Sequence, residues 1–393
     1  MPVQLVDEGP VLARTITFRP GMTTIPQESR DWWQTVWRKT AQCPPPTDYS
    51  SSEGELALRA AIAAYLGRSR GIVCTPDEVL ITTGSARTLD LLIRSCLVAG
   101  DRIAIEEPGY PQARWQLLAA GMQVLPIAVD EDGLQVDALP TGKDAPLAIY
   151  LTPSHQYPLG SRLSLQRRLA LLDWAQANDV LLIEDDYDSE FRFNAPPLPA
   201  LASLDQRASV AYLGTFSKVV TPALRCGYLV APRRLLQRVK QYSMLTDYHV
   251  SWPVQQALTL FLTEGYLERH IRRMRQHYAQ CRARLHETLA PVAHLAALKG
   301  LEAGLHTYLE LNATLSVARI IREAQTHRVI VTNIEACYMH IPDRQGLLLG
   351  YGGLSLEEIE WGAQRLRAVI QQEAGLERGA PVVKPARLLF KER

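Results

Sequence analysis

Short apolar runs alternate with stretches of helical period through the first 230 residues. Seven runs read as strands: VLIT at 79–82, RIAIE at 102–106, QVLPIAV at 123–129, LAIYLT at 147–152, VLLIED at 180–185, VAYLGTF at 210–216 and GYLVA at 227–231. Between them, ARTLDLLIRSCL, ARWQLLAAG and LQRRLALLDWAQAN space their apolar residues for helices, and the last two close on Gly or Asn. Such alternation predicts a mainly parallel sheet covered by helices, an α/β fold.

Beyond residue 250 the pattern changes. In GYLERHIRRMRQHYAQCRARLHETL the apolar residues Leu267, Ile271, Met274, Tyr278, Cys281 and Leu285 recur at intervals of four and three, one buried seam on a long polar helix. Arg269, Arg272, Arg273, Arg275, Arg282 and Arg284 lie between them and read as its solvated face rather than a nucleic-acid stripe. HTYLEL at 306–311, VIVTN at 329–333 and LLLGYG at 347–352, then SLEEIEWGAQRLRAVIQQ, predict a smaller α+β unit. The division expected is an N-terminal arm over 1–48 packing with the small domain, a large domain over 49–265, an interdomain helix and small C-terminal domain over 266–374, and a tail over 375–393.

Charge narrows the choice of partner. With 42 Lys+Arg against 41 Asp+Glu, the formal net charge is +1, which supplies no pull toward nucleic acid or an anionic membrane. The amino terminus has no export pattern and no run of 18 apolar residues occurs, so a cytoplasmic protein off the membrane is expected. Ahead of the sheet there is no room for a DNA-binding module of roughly 60 residues, and direct DNA binding is not expected. Six cysteines without a C-x-x-C pair or a His cluster argue against zinc and against a disulfide framework. Only seven of the 42 basic residues are Lys, so chemistry that needs a primary amine has few candidates.

Four segments carry candidate chemistry. YLGTFSK at 212–218 ends a strand on Lys218, with the Thr215 and Ser217 hydroxyls beside it and Arg225 seven residues on. Burial and a neighbouring cation lower a lysine's pKa, and the arrangement suits a Schiff-base amine beside a phosphate; an ordinary strand-end lysine is the alternative. VLLIEDDYDSEFRF runs a buried strand into Asp185, Tyr187 and further carboxylates, where open α/β sheets bind ligands. One carboxylate against a pyridine nitrogen would keep it protonated; magnesium is the competing ligand, but no G-x-x-x-x-G-K loop accompanies the cluster. In VLITTGSARTLDLL, Gly84, Ser85 and Ala86 lead a strand into a helix, a phosphate-binding turn or a plain connection. In EEPGYP, Tyr110 is placed to stack on a flat ring or to pack.

Taken together, these segments resemble the fold-type I pyridoxal-phosphate aminotransferases, and most closely the aminotransferase-like domain of the MocR/GabR group of bacterial regulators. The resemblance runs from about Thr17 to about Gln371 and includes FRPG (18–21), YSSSEGELALR (49–59), TPSHQYPLG (152–160), EDDYDSEF (184–191), GTFSK (214–218), GLH (304–306) and LGYGGL (349–354). It implies a large domain with a seven-stranded, mainly parallel sheet, a smaller α+β domain, and pyridoxal 5'-phosphate as cofactor. Lys218 is then the lysine of the internal aldimine and the proton shuttle, Asp185 the pyridinium partner, Tyr187 a hydrogen-bonding partner of the phenolic oxygen and Tyr110 the stacking ring. Ser85, Ala86, Thr215, Ser217 and Arg225 form the phosphate cup, and Tyr49 is a phosphate ligand given by the neighbouring subunit of a homodimer.

Two departures qualify that carry-over. Tyr157 stands where the family has the Asn of N-P-x-G, which leaves His155 or Gln156 to meet the phenolic oxygen. Gly353 stands where an Arg often clamps the substrate carboxylate, which leaves Arg114 or Arg19 for that task. The expected reaction is amino transfer from an amino acid or amine to a keto acid. The alternatives are another reaction of the same cofactor (decarboxylation, elimination or oxidation) and an effector-sensing module of MocR type with little turnover.

Overall fold

The computed structural model describes residues 15–193 and 198–375; of the expected tail, all but Gly375 lies outside the described residues. In chain order the first unit contains β1 (Ile16–Thr17), α1 (Gln27–Gln42), α2 (Leu56–Arg70), β2 (Val79–Thr82), α3 (Ser85–Cys96), β3 (Arg102–Glu107), α4 (Pro111–Ala119), β4 (Gln123–Asp130), β5 (Gly133–Leu134), β6 (Ala148–Leu151), α5 (Leu165–Asn178), β7 (Leu181–Asp186), the single turn α6 (Leu201–Leu204), β8 (Val210–Thr215) and β9 (Gly227–Val230). All seven strand runs of the sequence form strands, and β5 adds a two-residue eighth at the edge. The sheet order is β2-β9-β8-β7-β6-β3-β4-β5. Neighbours pair in parallel from β8 through β4, whereas β9 runs antiparallel to both β2 and β8.

That order fixes where a ligand can sit. From β3 the chain goes to β4 on one side and then crosses to β6 on the other, so connections leave the carboxyl ends of these strands in opposite directions and open a crevice there. Because β9 is antiparallel to β2 and β8, the start of β9 lies at the same edge as the ends of β2 and β8: Gly227 pairs with both Thr82 and Thr215. Strand interiors are apolar on both faces and packed by helices, as buried parallel strands require.

The remainder comprises α7 (Arg233–Thr246), α8 (Trp252–Thr263), α9 (Tyr266–Leu289), β10 (Ala296–Lys299), β11 (His306–Leu311), α10 (Val317–Thr326), β12 (Val329–Ile330), β13 (Thr332–Asn333), β14 (Gly346–Gly350) and α11 (Leu356–Glu373). The second sheet is β10-β11-β14-β13, antiparallel throughout. The predicted strand at 329–333 is two strands, because Val329 and Ile330 pair with Ile16 and Thr17 of β1 while Thr332 and Asn333 pair with β14. The six seam residues of α9 are all buried. Leu267 and Ile271 join the core of the large sheet and Met274 onward joins that of the small one, so α9 spans both cores. The N-terminal arm divides in the same way. Ile16 and Phe18 pack into the small core, while Val36 with Trp32, Trp33 and Trp37 of α1 packs into the large one, so the arm does not pack wholly with the small unit.

Candidate active site

A cavity of about 250 Å³ lies at the carboxyl edge of the large sheet. Each strand there contributes through the residues just beyond it: Ser85 and Ala86 after β2, Tyr110 and Gln112 after β3, Thr152 and Tyr157 after β6, Tyr187 and Asp188 after β7, Ser217 and Lys218 after β8. Asp185 and Thr215 come from the last turns of β7 and β8, Tyr150 from β6, and Arg225 from the approach to β9. Pro20 and Gly21 of the arm and Leu305 and His306 at the start of β11 supply the remaining wall.

Lys218 donates from Nζ to the Gly21 carbonyl at 3.0 Å. Burial lowers its pKa; Asp188 and Asp185 oppose that, and the positive charges of Arg19 and Arg225 add to it. Only glycine serves at position 21, since its φ is +85° and a Cβ would stand 2.5 Å from Nζ.

The acidic run at 184–188 separates by strand alternation. Glu184 points to the face carrying α5 and α6, where it accepts from the Leu201 and Ala202 N–H groups at 3.0 and 2.9 Å. Asp186 pairs with Arg70 and accepts from the Tyr212 hydroxyl at 2.7 Å. Asp185 lines the cavity; its Oδ2 accepts from Tyr150 at 2.6 Å, and its buried Oδ1 has no partner. Burial pushes its carboxyl up to about 7 against the Tyr150 bond. Asp188 holds His155 Nδ1 at 3.0 Å and the Leu305 N–H at 3.1 Å, tying the strand end to the segment that brings in His306.

At the other end, Gly84 has φ +116°, a conformation that turns the chain from β2 into α3 and leaves the first N–H groups of the helix without intrahelical partners. Arg225 adopts the left-handed region at φ 46°, and its guanidinium lies against Gly84. The Thr215 hydroxyl accepts the Ser217 N–H at 3.1 Å, and the buried Ser217 hydroxyl has no partner. Free N–H groups, a free hydroxyl and a guanidinium in one corner suit a phosphate group.

Nine of the sequence candidates, Lys218, Asp185, Tyr187, Tyr110, Ser85, Ala86, Thr215, Ser217 and Arg225, line this one cavity. The others do not. Gln156 is spent on backbone: its amide donates to the carbonyls of Pro108 and Tyr157 and its oxygen accepts from the Leu159 N–H. His155 lies behind the wall, on Asp188 and the Tyr187 hydroxyl. The expectation that either of them meets a ligand oxygen is corrected accordingly, and Tyr157 itself lines the cavity. Tyr187 donates to the His155 carbonyl at 2.9 Å. Arg114 is turned to the Ala336 carbonyl at 2.9 Å, away from the cavity. Arg19 is exposed, with no side-chain hydrogen bond or ion pair among the described residues, next to the Pro20 and Gly21 wall. Gly353 faces the arm, where a Cβ would stand 2.8 Å from that of Met22, so the arm occupies the space a side chain would need. Tyr49 is 77% exposed beside Tyr248 and His249, outside this cavity.

The sequence pattern does not mark Tyr150 or His306, and it offers Asp188 only as one carboxylate of the acidic run at the end of β7. Tyr150 is hidden inside the apolar run LAIYLT, where a tyrosine reads as core. His155, Asp188 and His306 bring ligand-type atoms within 4.8 Å of one another, although they lie far apart in sequence. Both Asp188 oxygens are already engaged, and burial, with His155 nearby, holds the His306 imidazole well below its ordinary pKa and therefore neutral.

An open α/β sheet that presents a half-buried lysine, an unpartnered carboxylate oxygen and an anion corner to one cavity defines a pyridoxal phosphate-dependent transferase of fold type I. The chain belongs to the aminotransferase class I and II family, whose sequence profile matches residues 23–366. It is 35% identical to the probable rhizopine catabolism regulatory protein MocR of Rhizobium meliloti over 364 residues, 90% of this chain and 72% of that protein. It is 32% identical to the 2-aminoadipate transaminase of Thermus thermophilus over 81% of this chain and 80% of the enzyme. Among solved structures it resembles LysN, the α-aminoadipate aminotransferase of Thermus thermophilus complexed with N-(5'-phosphopyridoxyl)-L-leucine, with a TM-score of 0.82 at 28% identity over 92% of this chain and 93% of that one. The kynurenine aminotransferase of Pyrococcus horikoshii gives a TM-score of 0.82 at 26% identity, with 92% of each chain covered. No helix among the described residues is long and apolar enough to cross a membrane.

Proposed function

We propose that the protein moves an amino group from an amino acid or amine to a keto acid, with the cofactor in the cavity beside Lys218. The observation that carries this reading is Oδ1 of Asp185, a buried carboxylate oxygen without a partner in the cavity that Lys218 also lines. An N–H at the cofactor's ring nitrogen is the partner such an oxygen lacks, and the carboxylate keeps that nitrogen protonated. Pyridoxal phosphate, when bound, supplies an electron sink for charge developing at the substrate's α-carbon and the carbonyl that receives the amino group.

The chain's own residues divide the remaining work. Lys218, kept toward its neutral form by burial, takes the proton from the α-carbon and returns it. Tyr110 offers a ring face, and Ser85, Ala86, Thr215, Ser217 and Arg225 hold the phosphate. Tyr150 fixes the Asp185 carboxylate through Oδ2 and so aims Oδ1. Arg19, cationic and without a side-chain partner among the described residues, is the candidate for the substrate carboxylate, and Arg114, turned to the Ala336 carbonyl, is not. Tyr49, exposed and away from its own cavity, suits a phosphate contact to a second copy, which makes the protein a homodimer. All six cysteines are free, which accords with a reducing, cytoplasmic setting.

The similarity to MocR over 90% of the chain favours a second reading, an effector-sensing module that binds the amino compound and turns over little. One experiment separates the two. Purified protein saturated with pyridoxal phosphate is offered a panel of amino acids and amines with 2-oxoglutarate, and keto product is measured alongside the cofactor spectrum. Repeated turnover supports the transferase; spectral change without product supports the sensor. A protein that neither binds the cofactor nor is labelled at Lys218 on borohydride reduction overturns both.

A further inference from the structure

We propose that a second cavity, separate from the first, binds a small oxyanion group, a phosphate or a carboxylate. It has a volume of about 220 Å³ and shares no lining residue with the first. Its walls are the end of α2, the segment after β7 and the first turns of α9. It belongs to the face to which Asp186 points, whereas Asp185 points into the first cavity.

Three elements bring guanidinium groups to it: Arg70 from α2, Arg192 from the segment after β7, Arg272 and Arg275 from α9. The nearby carboxylates are largely committed elsewhere. Asp186 holds Arg70. Glu268 is bound by Arg68 at 2.8 Å. Glu190 accepts from the Tyr65 hydroxyl at 2.9 Å, and burial pushes its acid up to about 7, which weakens its charge near neutral pH. Arg275 is turned to the Glu190 carbonyl. The side chains of Arg192 and Arg272 are left without a hydrogen bond or ion pair among the described residues.

A second, independent observation points to a ligand. The buried atoms Arg70 Nε, Ser69 Oγ and Ser189 Oγ all belong to lining residues, and none has a hydrogen-bond partner. Arg70 and Ser189 are only 7% and 3% exposed. A buried donor left unmade is costly, so three in one small space describe a site shaped for an acceptor with several lone pairs. An oxyanion offers these together with the negative charge that Arg192 and Arg272 lack. Oε2 of Glu268, also buried and unpartnered on this wall, suits a protonated oxygen or an N–H of the same ligand. Arg192 is strained electrostatically as it stands, since burial and the positive charges of Arg70 and Arg275 disfavour its charged form; an anion relieves this.

The test is calorimetric titration of the cofactor-loaded protein after borohydride reduction, which keeps the first cavity filled. Inorganic phosphate is one titrant and succinate, in a separate arm, the other. The expected result is saturable single-site binding of at least one, with the arm that saturates naming the source, and a loss of about tenfold or more in R192Q/R272Q. R94Q, an exposed arginine on α3, should bind as the native protein does. Arg272 is exposed and Arg192 half-buried, and unfolding midpoints of native and variant protein without ligand check the fold. The proposal is overturned if neither anion saturates the native protein, or if R192Q/R272Q binds as tightly as the native chain.

Discussion

The Tyr150 hydroxyl lies 2.6 Å from Oδ2 of Asp185 and leaves Oδ1 of the same carboxylate without a partner. The carboxylate is thus oriented from behind and open toward the cavity. Removing the hydroxyl in Tyr150→Phe takes away a bond that favours the charged form, so the carboxyl pKa, already raised to about 7 by burial, rises further. The expected result is cofactor affinity about three- to thirtyfold weaker near pH 7, with its pH dependence moved to higher pH. Titration of apo-protein with pyridoxal phosphate across pH 6–9 measures both.

Asp185→Asn should trade stability against binding. In the unfolded chain the carboxyl ionises near its ordinary value of 3.8, and in the fold near 7, so between these values the folded state holds more protons and its stability falls as pH rises. The uncharged variant escapes that cost. Apo-Asp185→Asn should therefore unfold at a higher temperature than native apo-protein, by a larger margin at pH 8 than at pH 5, while its cofactor affinity drops. An equal or lower midpoint at pH 8 contradicts the assignment of the shift to burial.

Lys218 and Arg19 are linked by charge rather than contact. Arg19 is among the cations that hold the Lys218 pKa down, so Arg19→Gln should let it rise and move the appearance of neutral amine to higher pH. If Arg19 also meets the substrate carboxylate, KM for amino acids increases about tenfold or more, while KM for amines without a carboxylate stays near the native value. A change shared equally by both substrate classes removes Arg19 from the binding role.

The fold was legible from period and run length because each strand of the large sheet is buried on both faces and so stands out as an apolar run. The edge strand β5 and the strand β10 did not stand out: two residues carry no period, and Ala296–Lys299 is half exposed and closes on a lysine. The nine cavity residues were legible because they lie at or next to strand ends, where polar residues break an apolar run. His306 begins a strand instead, and Tyr150 sits inside one, so neither is marked by local pattern. The segment HQYPLG shows the converse. His155 and Gln156 have the right chemistry in the right place along the chain, but the backbone carbonyls of Pro108 and Tyr157 take the Gln156 amide, and Asp188 takes His155. Pro108 and Asp188 lie 48 and 33 residues away in sequence, so local pattern does not show these contacts.

Behind the sheet, Arg168 and Glu184 are both completely buried, 3.9 Å apart. Arg168 reaches the carbonyls of Leu163 and Pro199 at 2.9 and 3.0 Å, and Glu184 holds the first N–H groups of α6. Arg168→Leu strands the carboxylate in an apolar setting and frees those carbonyls, which costs about 3–5 kcal/mol. Denaturant unfolding measures it. Because Glu184 immediately precedes Asp185, cofactor affinity is expected to fall as well.

Tyr49 offers the sharpest test of the shared site. It is exposed and outside its own cavity, so if it contacts the phosphate of a second copy, each complete site combines Lys218 of one chain with Tyr49 of the other. Homodimers of Lys218→Ala should be inactive, and those of Tyr49→Phe should bind cofactor about ten- to hundredfold more weakly, the worth of one hydrogen bond to a charged group. In a mixed dimer, the chain carrying Tyr49→Phe keeps its own Lys218 and receives a native Tyr49 from its partner. That site is whole, and the other lacks both residues. Mixing the two variants under exchange conditions should therefore restore native cofactor affinity to about half the sites of each mixed dimer, read as a tight phase in the titration. If Tyr49 serves its own chain, every site with Lys218 keeps the weak affinity and no tight phase appears.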